Sequence, residues 1–301
     1  MPEDFINIST IADLHQYYAY GSVKHPLITI IDLTKVKKRN RKPGDVFYRL
    51  GLYTVVYKKF EGTLKYGRSI YDFQEGSLMF AAPNQVLSPG EDIQLQEGWF
   101  LAFHPNLIYG STLGKNIQQY SFFNYEANEA LHLSEEERDA LEQSVQKIAK
   151  EYSQHIDRHT QGLILSNLEL LLNYCDRFYD RQFFTRAKVN NDVVQNFERL
   201  LQQYVETDVL IDKGLPDVKY FADQLNLSSN YLSDVLNKYT GKTTLEHIHL
   251  QLVAQAKSFL LGSNKSISEI AYDLGFEHPS HFNRIFKLKT GLSPSSYRTQ
   301  K

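Results

Sequence analysis

The sequence predicts an α+β protein with a strand-rich N-terminal part, a helical middle, and an all-helical C-terminal part. The last is built from two similar helical pairs joined by a long helix. Three observations carry the prediction. Up to about Asn128 the chain is a series of short Tyr-, Phe-, Val- and Ile-rich runs broken by Gly and Pro. From Leu133 the apolar residues recur at helical spacing instead. Finally, residues 221–241 reappear in related form at 270–291.

The 301 residues are enough for two domains with a sizeable core. Hydrophobic residues make up 42% and charged residues 23%, the balance of a soluble globular chain. No apolar run approaches the roughly 18 residues of a membrane span. The start, MPEDFINIST, lacks the basic and apolar stretches of a secretory signal. A cytoplasmic protein with no membrane partner is the expectation. The single cysteine, Cys175, cannot close an internal disulfide, which suits a reducing compartment. In LLNYCDRF it reads as a buried structural thiol. The net charge of −2 conceals an asymmetry: residues 218–301 carry 10 Lys and Arg against 6 Asp and Glu, whereas residues 1–217 carry 23 against 29. A basic third on an acidic body points to a polyanionic partner for that third.

Along the chain, LITIIDL (27–33), YRLGLYTVVYKKF (48–60), GSLMFAA (76–82) and GWFLAFH (98–104) are β-formers, with loops marked by Asn84, Pro89 and Gly90. Many short strands between turn signals predict a sandwich or barrel. Ser134 with Glu137 three residues on forms a capping box, and Leu141, Val145 and Ile148 follow at helical spacing. A second apolar helix spans about 162–178. Its leucines, from Leu163 to Leu172, cover more than one face, which requires burial against its own domain or a partner subunit. The polar, basic stretch 180–191, DRQFFTRAKVNN, reads as a linker. Beyond it Val194, Phe197, Leu200, Leu201 and Tyr204 line one face of a helix, and Gly214 and Pro216 close a loop. Thr243 with Glu246 and Ser266 with Glu269 are two further capping boxes. The first opens a helix that Gly262 is expected to end.

The repeat is the most informative feature. FADQLNLSSNYLSDVLNKYTG (221–241) lies over IAYDLGFEHPSHFNRIFKLKTG (270–291), at an offset of 49 before the turn and 50 after it. Ala222 and Ala271 allow two helices to cross closely. Leu232, Val235 and Leu236 match Phe282, Ile285 and Phe286 as one apolar stripe on each second helix. Gly275 can take the left-handed conformation that ends a helix, with Phe276 folding back into the core. Pro279 suits the first position of the next helix. This is the helix-turn-helix pattern, whose second helix enters the DNA major groove. The connecting helix, 244–261, spans about 27 Å. That length can hold two recognition helices roughly 34 Å apart, one turn of B-DNA.

The region 194–298 resembles the DNA-binding domain of AraC-type (arabinose-regulator-like) transcription factors. Its second unit, SISEIAYDLGFEHPSHFNRIFKLKTGLSPSSYR, matches that family's signature in IA, LGF, the S-x-F-x-R-x-F-K run, G-x-S-P and the closing YR. The match covers about a third of the chain. One departure is Leu252, which stands where the family carries an Arg ahead of the pair Ala256–Lys257. It removes a salt bridge or phosphate contact that the resemblance would otherwise imply. The resemblance also implies a cupin-like β-barrel at the N-terminus, helices that pair two subunits, and RNA polymerase as a partner.

The expected domains are therefore a cupin-like, β-rich sensor at 1–130, a helical dimerisation segment at 131–185, and a double helix-turn-helix DNA-binding domain at 190–301. The expected function is a sequence-specific, double-stranded-DNA-binding transcriptional regulator. It is expected to be an activator, a homodimer, and responsive to a small-molecule effector whose binding residues the sequence does not assign. The alternatives are a cupin-type enzyme with an appended DNA-binding domain, or a nonspecific architectural DNA-binding protein.

Base reading belongs to exposed polar side chains on the second helix of each unit. In the second unit these are His278, Ser280, His281, Asn283 and Arg284. Arg284 suits guanine and Asn283 adenine. In the first unit the matched positions are Ser229, Asn230, Ser233 and Asp234, of which Asp234 suits cytosine N4 or pairs with Lys238 one turn on. Lys238, Lys242, Lys287, Lys289 and Arg298 are the candidate phosphate contacts. Catalytic chemistry is not expected. No histidine lies between His25 and His104, where a metal-dependent cupin enzyme needs ligands. His155 and His159 have no evident third ligand, and no nucleophile elbow, P-loop or dinucleotide fingerprint occurs. Neither a metal nor a cofactor is anticipated.

Overall fold

A computed structural model describes residues 5–36, 47–60, 63–66, 69–72, 76–87, 95–126, 129–185, 187–206 and 209–299. The chain divides into two compact units, Met1–Phe184 and Thr185–Lys301.

The first unit opens with β1 (Phe5–Ile8) and α1 (Ile11–Tyr18). This helix was absent from the sequence expectation, although its start is a capping box. The Thr10 hydroxyl accepts from the Asp13 N–H at 3.1 Å, and the Asp13 carboxylate accepts from the Thr10 N–H at 2.9 Å. There follow β2 (Ile28–Asp32), β3 (Phe47–Leu50), β4 (Tyr53–Phe60), β5 (Thr63–Tyr66), β6 (Ser69–Asp72), β7 (Ser77–Ala81), β8 (Val86–Leu87) and β9 (Leu95–Phe103). Two short helices, α2 (Pro105–Ile108) and α3 (Thr112–Asn116), lead to β10 (Leu131–His132), α4 (Glu135–Tyr152) and α5 (Thr160–Thr185).

Five strands form an antiparallel sheet in the order β10-β7-β4-β9-β2. A smaller sheet, β1-β3-β8, pairs β1 and β3 in parallel, and β5 and β6 form a hairpin. Among the described residues these sheets do not close into the expected barrel. The run 48–60, read as one strand, instead divides at Gly51 between the two larger sheets. The Gly51 N–H donates to the Ile8 carbonyl at 2.9 Å. A Cβ there would stand 3.2 Å from the Ser9 backbone, so the chain crosses where only a small residue fits comfortably. The expected loop markers Pro89 and Gly90 lie outside the described residues.

The five-stranded sheet has two unlike faces. On one, Ile31, Phe100 and Ala102, flanked by Val56, pack with Ile8, Ile11, Leu14, Leu50 and Leu52. The other is aromatic: Tyr53 stacks on Phe103 at 5.0 Å, and Phe122 stacks on Tyr179 of α5 at 5.5 Å. Helix α5 therefore buries Ile164, Leu168, Leu171, Leu172, Cys175, Phe178 and Tyr179, while Leu163 and Leu170 remain 47% and 42% exposed. Burial also pushes the Cys175 thiol far up, as an inert core thiol requires.

The stretch expected to be a linker is helical on both sides of residue 186, which itself is not described. Two of its polar residues, Arg181 and Gln182, anchor neighbouring backbone. Arg181 donates to the Glu137 carboxylate at 2.6 Å and to the His132 carbonyl at 2.7 Å. The buried Gln182 amide accepts from the His132 N–H at 2.8 Å and donates to the Ala130 carbonyl at 3.1 Å. Polar composition suggested solvated chain, but these groups satisfy backbone instead.

The second unit comprises α6 (Ala187–Glu206), α7 (Val209–Lys213), α8 (Val218–Leu225), α9 (Ser229–Thr240), α10 (Thr244–Gly262), α11 (Ile267–Asp273), α12 (Pro279–Thr290) and α13 (Pro294–Arg298). One core joins them through Phe197, Leu201, Phe221, Leu232, Leu236, Ile248, Leu260, Ile270, Phe276, Phe282 and Phe286. Gly262 is the last residue of α10, with Ser263 as its cap. Among the described residues no helix is long and apolar enough to cross a membrane.

Candidate nucleic-acid interface

The two helical corners share their backbone geometry. After α11, the Gly275 N–H donates to the Tyr272 carbonyl at 2.9 Å and the Phe276 N–H to the Ala271 carbonyl at 3.0 Å. After α8, Asn226 and Leu227 make the same pair of bonds, to Asp223 at 3.3 Å and Ala222 at 3.0 Å. Both corners are thus Schellman closures, with φ of +75° at Gly275 and +55° at Asn226. Asn tolerates the left-handed region, so conformation alone does not demand glycine. Gly275 meets a second constraint: a Cβ would lie 2.9 Å from the Leu210 carbonyl oxygen and 3.0 Å from the Gly214 carbonyl carbon. The turn following α7 is seated directly on this corner.

The helices that leave the corners, α9 and α12, are both 12 residues long and stand 50 residues apart in sequence. Ser228 caps α9 by accepting from the Tyr231 N–H, whereas His278 precedes α12 without a side-chain cap bond, with Pro279 opening the helix. Each ends at a left-handed glycine, Gly241 or Gly291. Their inner faces are the expected stripes: Leu232, Val235 and Leu236 are buried, as are Phe282, Ile285 and Phe286.

On α12, Ser280, His281, Asn283, Arg284 and Lys287 are all exposed, as is His278 ahead of it. Ser280, Arg284 and Lys287 follow one another at i, i+4 and i+7, forming one outward stripe. No ion pair holds Arg284 or Lys287 among the described residues. His281 rests edge-on against Phe276 at 5.6 Å. Beside the stripe lies an open groove of about 370 Å³, lined by Ile267, Asn283, Arg284, Lys287, Ser293, Pro294 and Ser295. Two cations and two hydroxyl-bearing residues make its wall suited to a phosphodiester.

The first unit places its candidates less uniformly. Asn230 and Asp234 lie on the outward stripe, partly exposed. Ser233 turns inward, its hydroxyl donating to the Ser229 carbonyl at 2.8 Å and lying 3.3 Å from the Thr244 hydroxyl. The Ser233 hydroxyl is therefore engaged within the domain, whereas Ser229 contributes only its backbone carbonyl to that contact. The residue the sequence reading omitted is Asn237, exposed at the third position of the Asn230–Asp234 stripe. The repeat contained the signal, because the offset of 50 lays Asn237 over Lys287.

The candidate phosphate contacts also separate. Lys238, Lys242 and Lys287 are exposed. Lys289 is mostly covered and reaches Glu246 at 3.6 Å, tying α12 to α10. Arg298 donates to the Leu260 carbonyl at 3.3 Å and the Lys265 carbonyl at 2.7 Å, so it closes the end of α10. Leu252 is fully packed in the core, which leaves no place for the Arg–carboxylate contact implied by the resemblance. Burial pushes the His249 pKa down, and neighbouring Lys289, His281 and Arg284 push it the same way. Among the described residues no three His, Cys, Asp or Glu side chains gather as metal ligands would.

A family profile described as a helix-turn-helix domain matches residues 221–300, the span of both corners and both outward helices. A regulator from the arabinose operon of Escherichia coli is 32% identical over 96 residues, covering 32% of each chain. This chain carries an AraC-type helix-turn-helix domain. A further relative, an uncharacterized HTH-type transcriptional regulator in the cgkA 5′ region of Pseudoalteromonas carrageenovora, is 31% identical over 113 residues. That alignment covers 38% of this chain and 63% of the relative. The solved DNA-binding domain of AdpA, in complex with a target DNA, is 26% identical over 36% of this chain and 88% of that one, with a TM-score of 0.29. The chain thus spans less than two thirds of the length of the curated relatives named here. The likeness lies in the AraC-type domain.

Proposed function

We propose that this protein is a sequence-specific, double-stranded-DNA-binding transcriptional regulator whose AraC-type domain lays α9 and α12 into successive major-groove segments. The observation that carries the reading is the pair of matched, polar-faced helices on either side of α10, whose 19 residues extend about 28 Å. The two helices contribute unequally. The α12 stripe, Ser280–Arg284–Lys287, bears two positive charges and supplies most of the attraction to phosphate, with Arg284 on a guanine. The α9 stripe, Asn230–Asp234–Asn237, carries a carboxylate and two amides, and reads hydrogen-bonding edges with little electrostatic help.

In this reading the first unit is a β-rich sensor for a small effector, with 131–185 as a dimerisation segment. The exposed Leu163 and Leu170 on α5 support the pairing of two chains. The regulator works in the cytoplasm as an activator through RNA polymerase, and does no catalysis. Selection from random DNA with the purified protein tests the core of this. Enrichment of one motif, bound roughly 10³-fold or more above unrelated DNA, is expected. A protein that retains all sequences equally is an architectural binder and refutes it.

A further inference from the structure

The inner face of the five-stranded sheet holds a lysine that pairs with nothing among the described residues. Lys58 lies on β4 two residues after Val56, so its side chain leaves the same face that packs against β1, β3 and α1. Its cross-strand neighbours are Gly98 on β9 and Ser77 on β7, which have little or no side chain to fill the space beside it. Further along the face Ile31, Phe100 and Ala102 are buried, but Val56, Lys58, Met79 and Gly98 are only half-buried. Ser77 itself is buried, so the partly open surface beside the lysine runs along Val56, Met79 and Gly98. Tyr18 closes one side, its ring 6.0 Å from Phe100.

No hydrogen bond or ion pair holds the Lys58 ammonium among the described residues. The acids near it in sequence register are committed elsewhere. Glu97 lies one position from Gly98 and so projects from the opposite face. Asp32 is on that opposite face too, held by Lys35 at 2.8 Å and the Thr34 hydroxyl at 2.6 Å. Burial pushes the Lys58 pKa down, with no carboxylate to oppose it. This occurs in a stretch of chain, residues 1–217, with an excess of acidic residues, none of which pairs with the lysine among the described residues. A partly desolvated, unpaired ammonium is unfavourable, and an anion entering beside it offsets that cost.

We propose that this inner face binds an organic anion, a carboxylate on an apolar frame, and that Lys58 supplies its counter-charge. The apolar frame lies against Val56, Met79, Phe100 and Tyr18. The assignment rests on the effector reading of the first unit and gives that effector a chemical class.

Calorimetric titration of the full chain with octanoate and phenylacetate, each beside its neutral analogue octanol or phenylacetamide, tests the class. At least one carboxylate is expected to bind tenfold or more tighter than its analogue. Lys58→Met, which keeps the apolar stem, removes that preference, and Lys58→Arg retains part of it. A ligand-independent measurement accompanies this: with the unpaired charge gone, ligand-free Lys58→Met melts roughly 2–4 °C higher. The proposal is overturned if neither carboxylate binds, if charge makes no difference to binding, if the preference survives Lys58→Met, or if that variant melts lower than the parent. A neutral analogue that binds without charge preference and shifts operator affinity sinks the anion class while leaving the effector reading intact. Carboxylate binding through Lys58 with no change in operator affinity does the reverse.

Discussion

Replacing Gly275 by Ala separates two reasons for a glycine at a helix corner. A left-handed backbone costs an alanine about 1–2 kcal/mol. The loss of glycine's freedom in the unfolded chain returns about 0.4–1 kcal/mol. Gly241 isolates these terms, since its φ is +67° and an added Cβ meets nothing within 4 Å. Gly241→Ala is therefore expected to destabilise by about 1 kcal/mol. At Gly275 the same methyl lies 2.9 Å from the Leu210 carbonyl oxygen and 3.0 Å from the Gly214 carbonyl carbon. Both are backbone atoms, so relief requires the turn after α7 to lift from the corner. Overpacking of this kind adds roughly 2 kcal/mol, for a total near 3 kcal/mol. Urea unfolding followed by the helical circular-dichroism signal measures both variants on the full chain. Equal losses, or a Gly275→Ala loss below that of Gly241→Ala, would show that the close approach of the turn plays no part.

Four further outcomes follow from the interface. Arg284→Ala is expected to weaken operator binding by about 1–3 kcal/mol and to relax preference at one base pair; an unchanged footprint and motif refute its role. Asn237→Ala is expected to lose about 1 kcal/mol and a preference at a second position, within the half-site of α9; a selection that returns the parental motif refutes this. Lys287→Ala should lower the slope of log K against log salt by about 1, whereas Arg298→Ala should lower thermal stability and leave that slope unchanged. A salt slope altered by Arg298→Ala overturns its assignment to the α10 end. Finally, His247 and His249 both have pKa values held below the usual 6.5, chiefly by burial. The unfolded chain takes up these protons first, so their contribution to stability is complete above pH 6.5 and is lost as pH falls through the folded values. Melting of the full chain should thus drop on acidification below pH 6.5, by less in a His249→Asn variant; an identical pH dependence in the two proteins refutes the contribution.

Much of the second unit was legible in the sequence because its signals are local. The capping boxes at Thr243 and Ser266, like the one at Ser134 in the first unit, involve atoms three residues apart, and each forms as read. The stripes Leu232–Val235–Leu236 and Phe282–Ile285–Phe286 follow from helical periodicity, and the repeat located them twice. The start of α1 is equally local, set by Thr10 and Asp13. Other features are set by partners distant in the chain. The polar residues Arg181 and Gln182 looked like a linker because composition does not reveal the Ala130 and His132 backbone that they satisfy. Arg298 looked like a phosphate contact until the end of α10, 38 residues away, proved to hold it.

By itself, the sequence determined that two corners exist, where they turn, and which side of each outgoing helix is apolar. Periodicity and caps act within a turn of helix, so side-chain identity alone settles them. Only the tertiary structure decided which polar residues of the outward helices are available: Ser233 turns in and Asn237 is left out. It also decided that Gly275 faces another backbone, that β3 and β4 part at Gly51 into different sheets, and that Lys58 comes to an inner face where no acid pairs with it among the described residues. Those outcomes depend on which segments meet across long separations, and a strand's pairing partners and a side chain's desolvation have no local signature.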